Sequence, residues 1–547
     1  MNNETRLKEA NLYVSDRGTQ HPRITHPQDW VYWAVLCSAL LAYLFLSVGS
    51  AISKAPWEDE GFLTGIAYNL KVHGVLGSPT LEPAGLGYVR LPSVDQFTYW
   101  HVPLYFLADA CLGLFGDMSP LGIRALSVIA GLFALAAFHL CFYHLTGRWV
   151  GLLATAMLAT TYTFVKSGST ARMDMLGACF AALSYASYLS LRTRTLSGAL
   201  VSANGFVVAA GLTHPIAGLI SFPTLLCLVA RFDWSRMRSS CVVLSTIPYL
   251  VGGIAWLWYI LRAPSVFLMQ FGANLEAGGR TGILSSPFMS LLREITVRYA
   301  SLAGLTSPGT LPRARLVIVF TFAMCILASV SIPTLRKNRA HFFLLGLVVL
   351  QAITLAVIDG RKEPLYLVNT VPLLVALTAA TSSALALERL IPRWVVTIWL
   401  SVFVLINASG SVYIMLQNDY ARSYKPAVDF IKQRTGGARL IFAGSEIGLA
   451  LGFPATVRED IFFGFESGKI ADWIVLSSLQ RNLIEAGSFG YGPDGVRHRG
   501  DLRNVQAYVF AKTLLETRYV RVYEGEGYEI YHLVSNCNLG VQIAKCQ

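Results

Sequence analysis

The sequence predicts a polytopic α-helical membrane protein, with about eleven transmembrane helices followed by a small soluble α/β C-terminal domain. Three observations carry that expectation. Of the 547 residues, 54% are hydrophobic and only 14% charged, where an average soluble protein carries roughly 25% charged residues. Apolar runs, most of them about twenty residues long, recur from residue 30 to residue 416, and each suits a bilayer span. From about Asn418 onward the runs stop, and charged residues, glycine and aromatics replace them.

The spans are expected at 30–52, 119–145, 148–166, 172–191, 197–213, 215–231, 240–262, 314–333, 340–358, 364–387 and 393–416. About thirty polar residues precede the first run and no small-residue cleavage pattern follows it, so it does not resemble a signal peptide. With residues 1–29 in the cytoplasm, the loops at Gly147-Arg148, 192–194, 231–238, 336–339 and 388–393 all fall inside, and all are basic or mostly basic. Short basic loops mark the cytoplasmic side. That distribution accounts for most of the net charge of +12 and argues against nucleic-acid binding.

The outside then receives the loop 53–118, the loop 263–313, short turns before Arg172, at Thr213-His214 and at 359–363, and the domain 417–547. The stretch 61–72 has helical apolar spacing and is expected as a helix along the membrane surface. The stretch 102–115 is apolar but short, so it is expected to be re-entrant or interfacial. In the C-terminal domain, 439–443 and 473–477 resemble buried strands, 427–434 and 505–516 helices, and 518–533 a hairpin around Gly525-Glu526-Gly527. Seven cysteines lie in apolar segments as small core residues, whereas Cys537 and Cys546 flank a short polar stretch where a disulfide is an open alternative.

Polar groups on the expected outer side then set the chemistry. Glu58-Asp59-Glu60 follows the first span; Arg90 and Asp95 precede Trp100-His101-Val102-Pro103; Arg172 and Asp174 open the fourth span. His214-Pro215 occupies the next outer turn, and Asp359, Arg361 and Lys362 a later one. Carboxylates beside low dielectric are costly unless they bind or react. A rim of acids and cations at the lipid–water boundary suits a lipid-phosphate substrate: cations neutralise the phosphate as a leaving group, and a carboxylate takes the proton of an attacking hydroxyl. Plainer roles stand beside these. The three acids suit a helix N-terminus, Arg172 with Asp174 suits a structural ion pair, His101 and His214 suit helix-end hydrogen bonds, and Arg361 and Lys362 suit snorkelling boundary cations.

Several of these stretches resemble a known family. Trp57-Glu58-Asp59-Glu60-Gly61 after the first span resembles the acidic motif of the GT-C glycosyltransferases, and more narrowly the branch containing the protein O-mannosyltransferases and the lipid A aminoarabinose transferase. Trp100-His101-Val102-Pro103-Leu104-Tyr105 is similar to that branch's H-x-P-L-Y stretch, and Ala171-Arg172-Met173-Asp174 to its second acidic motif. Thr213-His214-Pro215 stands where many members carry a Lys-Pro turn, and Arg361-Lys362 begins a stretch like the family's basic, aromatic start of a late span. The resemblance implies transfer of a sugar, with inversion, from a polyprenyl-phosphate donor to a hydroxyl of a lipid, glycan or protein acceptor at the outer face of a bacterial plasma membrane. It implies Asp59 as general base, supported by Glu60, and Asp174 as a second acid that orients acceptor or base. Arg361 and Lys362 would contact phosphate, with Arg90, His101, Arg172 and His214 as further substrate contacts. No cofactor and no metal are expected, since no cluster of acids or histidines has useful ligand spacing. The alternative is a transporter or flippase of lipid-linked sugar, which would place charges near the bilayer midplane.

Overall fold

The computed structural model describes residues 27–83, 93–98, 103–113, 118–277, 287–305, 311–360, 362–486 and 502–534. Each expected span is helical over most of its length. Helix α1 runs Pro27–Ser53. After the short helices α2 (Glu58–His73) and α3 (Pro103–Leu112), the chain continues through α4 (Pro120–Thr146), α5 (Arg148–Thr160), α6 (Tyr162–Gly168), α7 (Met173–Leu191), α8 (Leu196–Thr213), α9 (Pro215–Asp233) and α10 (Ser239–Ile260). The loop 263–313 carries α11 (Pro264–Ala277), α12 (Pro287–Arg293) and a π-helical turn Glu294–Tyr299. Then come α13 (Leu316–Ser331), α14 (Arg339–Ile358), α15 (Val371–Leu387) and α16 (Arg393–Gln417). Among the described residues eight helices are long and apolar enough to cross a membrane, and α5 and α15 are shorter apolar helices. This is a multi-pass helical membrane protein.

Local chemistry explains the helix limits. Ser119 caps α4 by accepting from Gly122 N at 3.2 Å, with Pro120 at the first helical position. Asn338 caps α14 through the amides of Ala340 and His341. The expected single span 148–166 is broken at Thr161, whose backbone is extended. The freed amide of Tyr162 donates to Asn407 Oδ1 at 3.0 Å, so α16 supplies what the break removes. The late span expected from residue 364 opens as a 3-10 turn, Pro364–Asn369, before α15 begins.

Ion pairs sort the helix ends into two sets. At one end Arg148 meets Asp29 at 2.6 Å, and Arg192 and Arg236 meet Asp233 at 3.1 and 2.7 Å. At the other, Arg172 joins Asp59 and Asp174, and Arg298 joins Glu294 and Asp359. Loops assigned by charge to one side thus pair only with loops of that side, among the described residues.

Within the stretch 102–115, Pro103–Leu112 forms α3, ten residues long and therefore too short to span. Helix α2 differs from its expected place along a membrane surface. Nine of its residues are buried, including Phe62, Leu63, Ile66 and Asn69, because it lies between the bundle and the C-terminal domain.

That domain contains α17 (Lys425–Arg434), β1 (Ile441–Phe442), α18 (Ser445–Ala450), β2 (Val457–Arg458), β3 (Trp473–Ser477), α19 (Ser478–Ala486), α20 (Leu502–Arg518), β4 (Tyr519–Gly525) and β5 (Tyr528–Leu533). The sheet order is β2-β1-β3-β5-β4; β1 pairs parallel with both neighbours, and β4-β5 is the expected hairpin. Gly527 turns it at φ 92°, a left-handed conformation that glycine adopts without steric cost. Helix α18 and strand β2 were not expected. The seven cysteines in apolar segments are free thiols, and four of them are buried; Cys537 and Cys546 lie outside the described residues.

Candidate active site

The site is assembled where α2 and α7 begin. Helix α2 opens with Glu58, Asp59 and Glu60, three carboxylates where the helix exposes unpaired amides. Arg172 stands immediately before α7 with extended backbone, which directs its side chain across to α2. Its guanidinium bridges two acids: one nitrogen donates to Asp59 Oδ2, and Nε donates to Asp174 Oδ2 at 2.9 Å. The Trp57 ring lies 5.3 Å from the same guanidinium, a cation–π contact. Burial opposes the charge of Arg172, but Asp174 and Asp59 hold it protonated.

The two carboxylates differ in access. Asp59 has a side chain 47% exposed, whereas Asp174 is 3% exposed. Asp174 Oδ1 is buried and makes no hydrogen bond among the described residues. An unfilled acceptor therefore lies behind an open one.

Glu60 occupies a different environment. It is fully buried, and Arg124 of α4 grips both its oxygens at 2.7 Å. Ala171 N donates to Oε1 at 2.7 Å and Trp57 N to Oε2 at 3.3 Å. Burial works against the charge, yet Arg124 and Lys54 hold this carboxyl down at about 2. Arg124 also donates to the carbonyls of Ala51, Lys54 and Ala55, which end α1. One ion pair thus ties together the end of α1, the start of α2 and the turn carrying Arg172. Lys54, which the motifs did not single out, donates to Thr170 Oγ1 at 2.7 Å and Ser169 O at 3.2 Å. Burial, with Arg124, Lys166 and Arg172 nearby, lowers it to about 7, against the pull of Glu60.

The turn 359–363 approaches from another side. Glu363, also missed by motif reading, is pushed up by burial, opposed by Arg172 and reinforced by Asp174, Asp359 and Asp59. A third acid therefore lies within electrostatic range of the Arg172 guanidinium. His214 is buried with its ring 5.0 Å from that of Tyr366. Lys362 is also buried: its ammonium donates to Ser290 Oγ at 2.8 Å and Ala356 O at 2.5 Å, and lies 3.4 Å from Glu294. It adopts φ 60°, and Glu363 N donates to Asp359 Oδ2 at 2.9 Å. Arg298 completes this network between Glu294 and Asp359. The ammonium expected at a phosphate instead anchors the loop 263–313 to the turn beside Arg361. Arg90, His101 and Arg361 lie outside the described residues. Among the described residues no group of three His, Cys, Asp or Glu has metal-holding geometry.

The C-terminal domain presses directly on α2. A Cβ on Gly61 would lie 2.2 Å from the Ser445 carbonyl carbon and 2.4 Å from Glu446 N, both backbone. Gly61→Ala is therefore expected to cost about 1–3 kcal/mol through overpacking. It should lower the melting temperature and speed protease release of the C-terminal domain; wild-type values for both would refute the contact's importance.

No protein-family model matches the sequence, and neither does any curated protein. Solved structures do match. The crystal structure of ArnT from Cupriavidus metallidurans bound to undecaprenyl phosphate superposes with a TM-score of 0.56 at 14% identity, covering 93% of this chain and 99% of that one. The apo oligosaccharyltransferase of Archaeoglobus fulgidus gives 0.53 at 14%, covering 93% and 75%. The Archaeoglobus fulgidus oligosaccharyltransferase AglB in complex with an inhibitory peptide and a dolichol-phosphate gives 0.53 at 14%, covering 94% and 76%. With its helical bundle, its short helices between the first spans and its C-terminal α/β domain, the chain has the GT-C glycosyltransferase fold.

Proposed function

We propose that this protein transfers a sugar from a polyprenyl-phosphate donor to an acceptor hydroxyl, at the outer face of a bacterial plasma membrane and with inversion. The observation that carries the reading is the Asp59–Arg172–Asp174 bridge, with Asp59 open and Asp174 enclosed. Asp59 takes the proton of the acceptor hydroxyl as its oxygen attacks the anomeric carbon. The bond from that carbon to the phosphate oxygen breaks, and the polyprenyl phosphate leaves with the bonding electrons. Attack opposite the leaving group inverts the centre. Arg172 sets the angle between the two acids, and Asp174, whose Oδ1 accepts no hydrogen bond among the described residues, orients the acceptor or the base.

Phosphate neutralisation falls to Arg90, His101, His214, Arg172 and Arg361, with Lys362 holding the turn on which Arg361 sits. Two fold neighbours support a lipid-phosphate ligand, since one was solved with undecaprenyl phosphate and the other with a dolichol-phosphate and an inhibitory peptide. The acceptor is a lipid, glycan or protein hydroxyl, and no cofactor enters the step.

The test is to incubate the purified protein with radiolabelled polyprenyl-phosphate sugars and an envelope lipid extract. Expected are label in an acceptor and release of polyprenyl phosphate. In Arg172→Lys the flat two-armed bridge is lost, and turnover should fall at least tenfold. Movement of intact donor across liposomes without cleavage would favour the transporter instead.

A further inference from the structure

Three carboxyls from two bodies meet behind the site. Glu58 is the first residue of α2, Glu446 lies in the first turn of α18, and Glu459 follows β2. Glu459 Oε2 accepts from Ser445 N at 2.9 Å and from the Ser445 hydroxyl, whose oxygen lies 2.8 Å from Thr80 Oγ1. The backbone of Glu459 donates to Thr80 O at 2.7 Å and accepts from Glu82 N at 3.1 Å, so the loop after α2 pairs beside β2. The Glu58 carboxyl stands close enough to Glu459 to raise its proton affinity.

Glu459 is 4% exposed, and burial beside a second carboxyl disfavours its charged form. Glu446 adds to that demand. It is 4% exposed, and its Oε2 makes no hydrogen bond among the described residues, a costly state for an ionised oxygen. Among the described residues the surrounding groups supply no cation. Tyr528 of β5 lies beside Glu446, Tyr424 donates to the Glu446 carbonyl at 2.5 Å, and Arg124 nearby is already taken by Glu60. On the adjoining segments Arg458 goes to Pro79 O at 2.9 Å and Lys469 to Glu82 at 2.6 Å. Glu60 acts on Tyr424 only at a distance.

We propose that Glu58, Glu446 and Glu459 form a proton-holding joint that locks the C-terminal domain onto α2, and that losing its protons frees α2 and misaligns Asp59. The three are positioning residues, and the catalytic consequence rests on Asp59 being the base. Burial, then Glu58, raises Glu446 to about 8; burial and Glu58 also raise Glu459 well above the ordinary carboxyl range. The closed joint therefore binds more protons than the open one. Its stability is fully present below the ordinary carboxyl pKa of about 4.5 and is lost as pH rises toward 8, with opening growing about tenfold per pH unit for each proton released.

Hydrogen exchange on the full-length protein in nanodiscs, between pH 5.5 and 8.5 and corrected for intrinsic rates, tests this without any substrate. In the wild type, protection of 58–73 and 445–450 should fall about 100-fold from pH 6 to pH 8 per proton released. Protection in a distant span such as 120–146 should hold. Glu446→Gln should remove part of the slope, and Glu446→Gln with Glu459→Gln should flatten it. A flat wild-type profile, or an unchanged slope in the double variant, overturns the joint. Sugar transfer by an Asp59→Asn protein would instead overturn the base assignment while leaving the exchange result standing.

Discussion

Asp59→Asn should abolish sugar transfer while leaving the fold intact, a loss of about 10²–10⁴-fold if the residue is the general base. Asparagine keeps the shape and an oxygen for Arg172 but cannot take a proton. Asp59 is half-exposed at the surface of the bridge, so the substitution strands no buried charge. The melting temperature should therefore stay near the wild-type value, and release of polyprenyl phosphate from labelled donor should be the quantity that falls. Asp174→Asn offers the contrast. It removes the buried acid that shares Arg172, so it should reduce both turnover and stability. Wild-type turnover by a folded Asp59→Asn protein would remove Asp59 as base.

The second large effect is on stability. Glu60→Ala leaves the fully buried Arg124 guanidinium without its carboxylate, and breaking a buried pair from one side costs about 3–5 kcal/mol. Three backbone carbonyls still accept from Arg124, but none neutralises it. Glu60→Gln should cost less, because the amide oxygen still accepts from the guanidinium. Glu60→Ala with Arg124→Leu should recover part of the loss, since the stranded charge is gone. Thermal unfolding in one detergent ranks the three variants. Equal melting of Glu60→Ala and wild type would show that the pair contributes little. The loss of activity in Glu60→Ala should follow the loss of fold, as expected of a residue that places Asp59.

How much was legible in sequence differs by element. The long apolar helices were, because bilayer thickness imposes a length that composition reveals directly. So was the grouping of Asp59, Arg172 and Asp174 at one end of the bundle, since basic loops sort the helix ends. The hairpin Tyr519–Gly525 and Tyr528–Leu533 was readable from alternation around a glycine turn. The break at Thr161 was not, because it is stabilised by Asn407, a residue 245 positions away by sequence separation from Tyr162.

The sequence by itself determined that this is a multi-span protein with acids and cations gathered at one end of its helices. Those are consequences of hydrophobicity and charge, which act residue by residue. Only the tertiary structure decided which acid does what. Glu58, Asp59 and Glu60 are consecutive, but a helix turns each about 100° from the last, so they meet different neighbours. Glu58 meets Glu459 of the C-terminal domain, Asp59 meets Arg172 at an open face, and Glu60 is enclosed by Arg124. Lys362 and Glu363 separate in the same way, one into a buried ion network and the other toward Arg172. Charge is written in the sequence; exposure, partner and proton affinity are set by what packs against it.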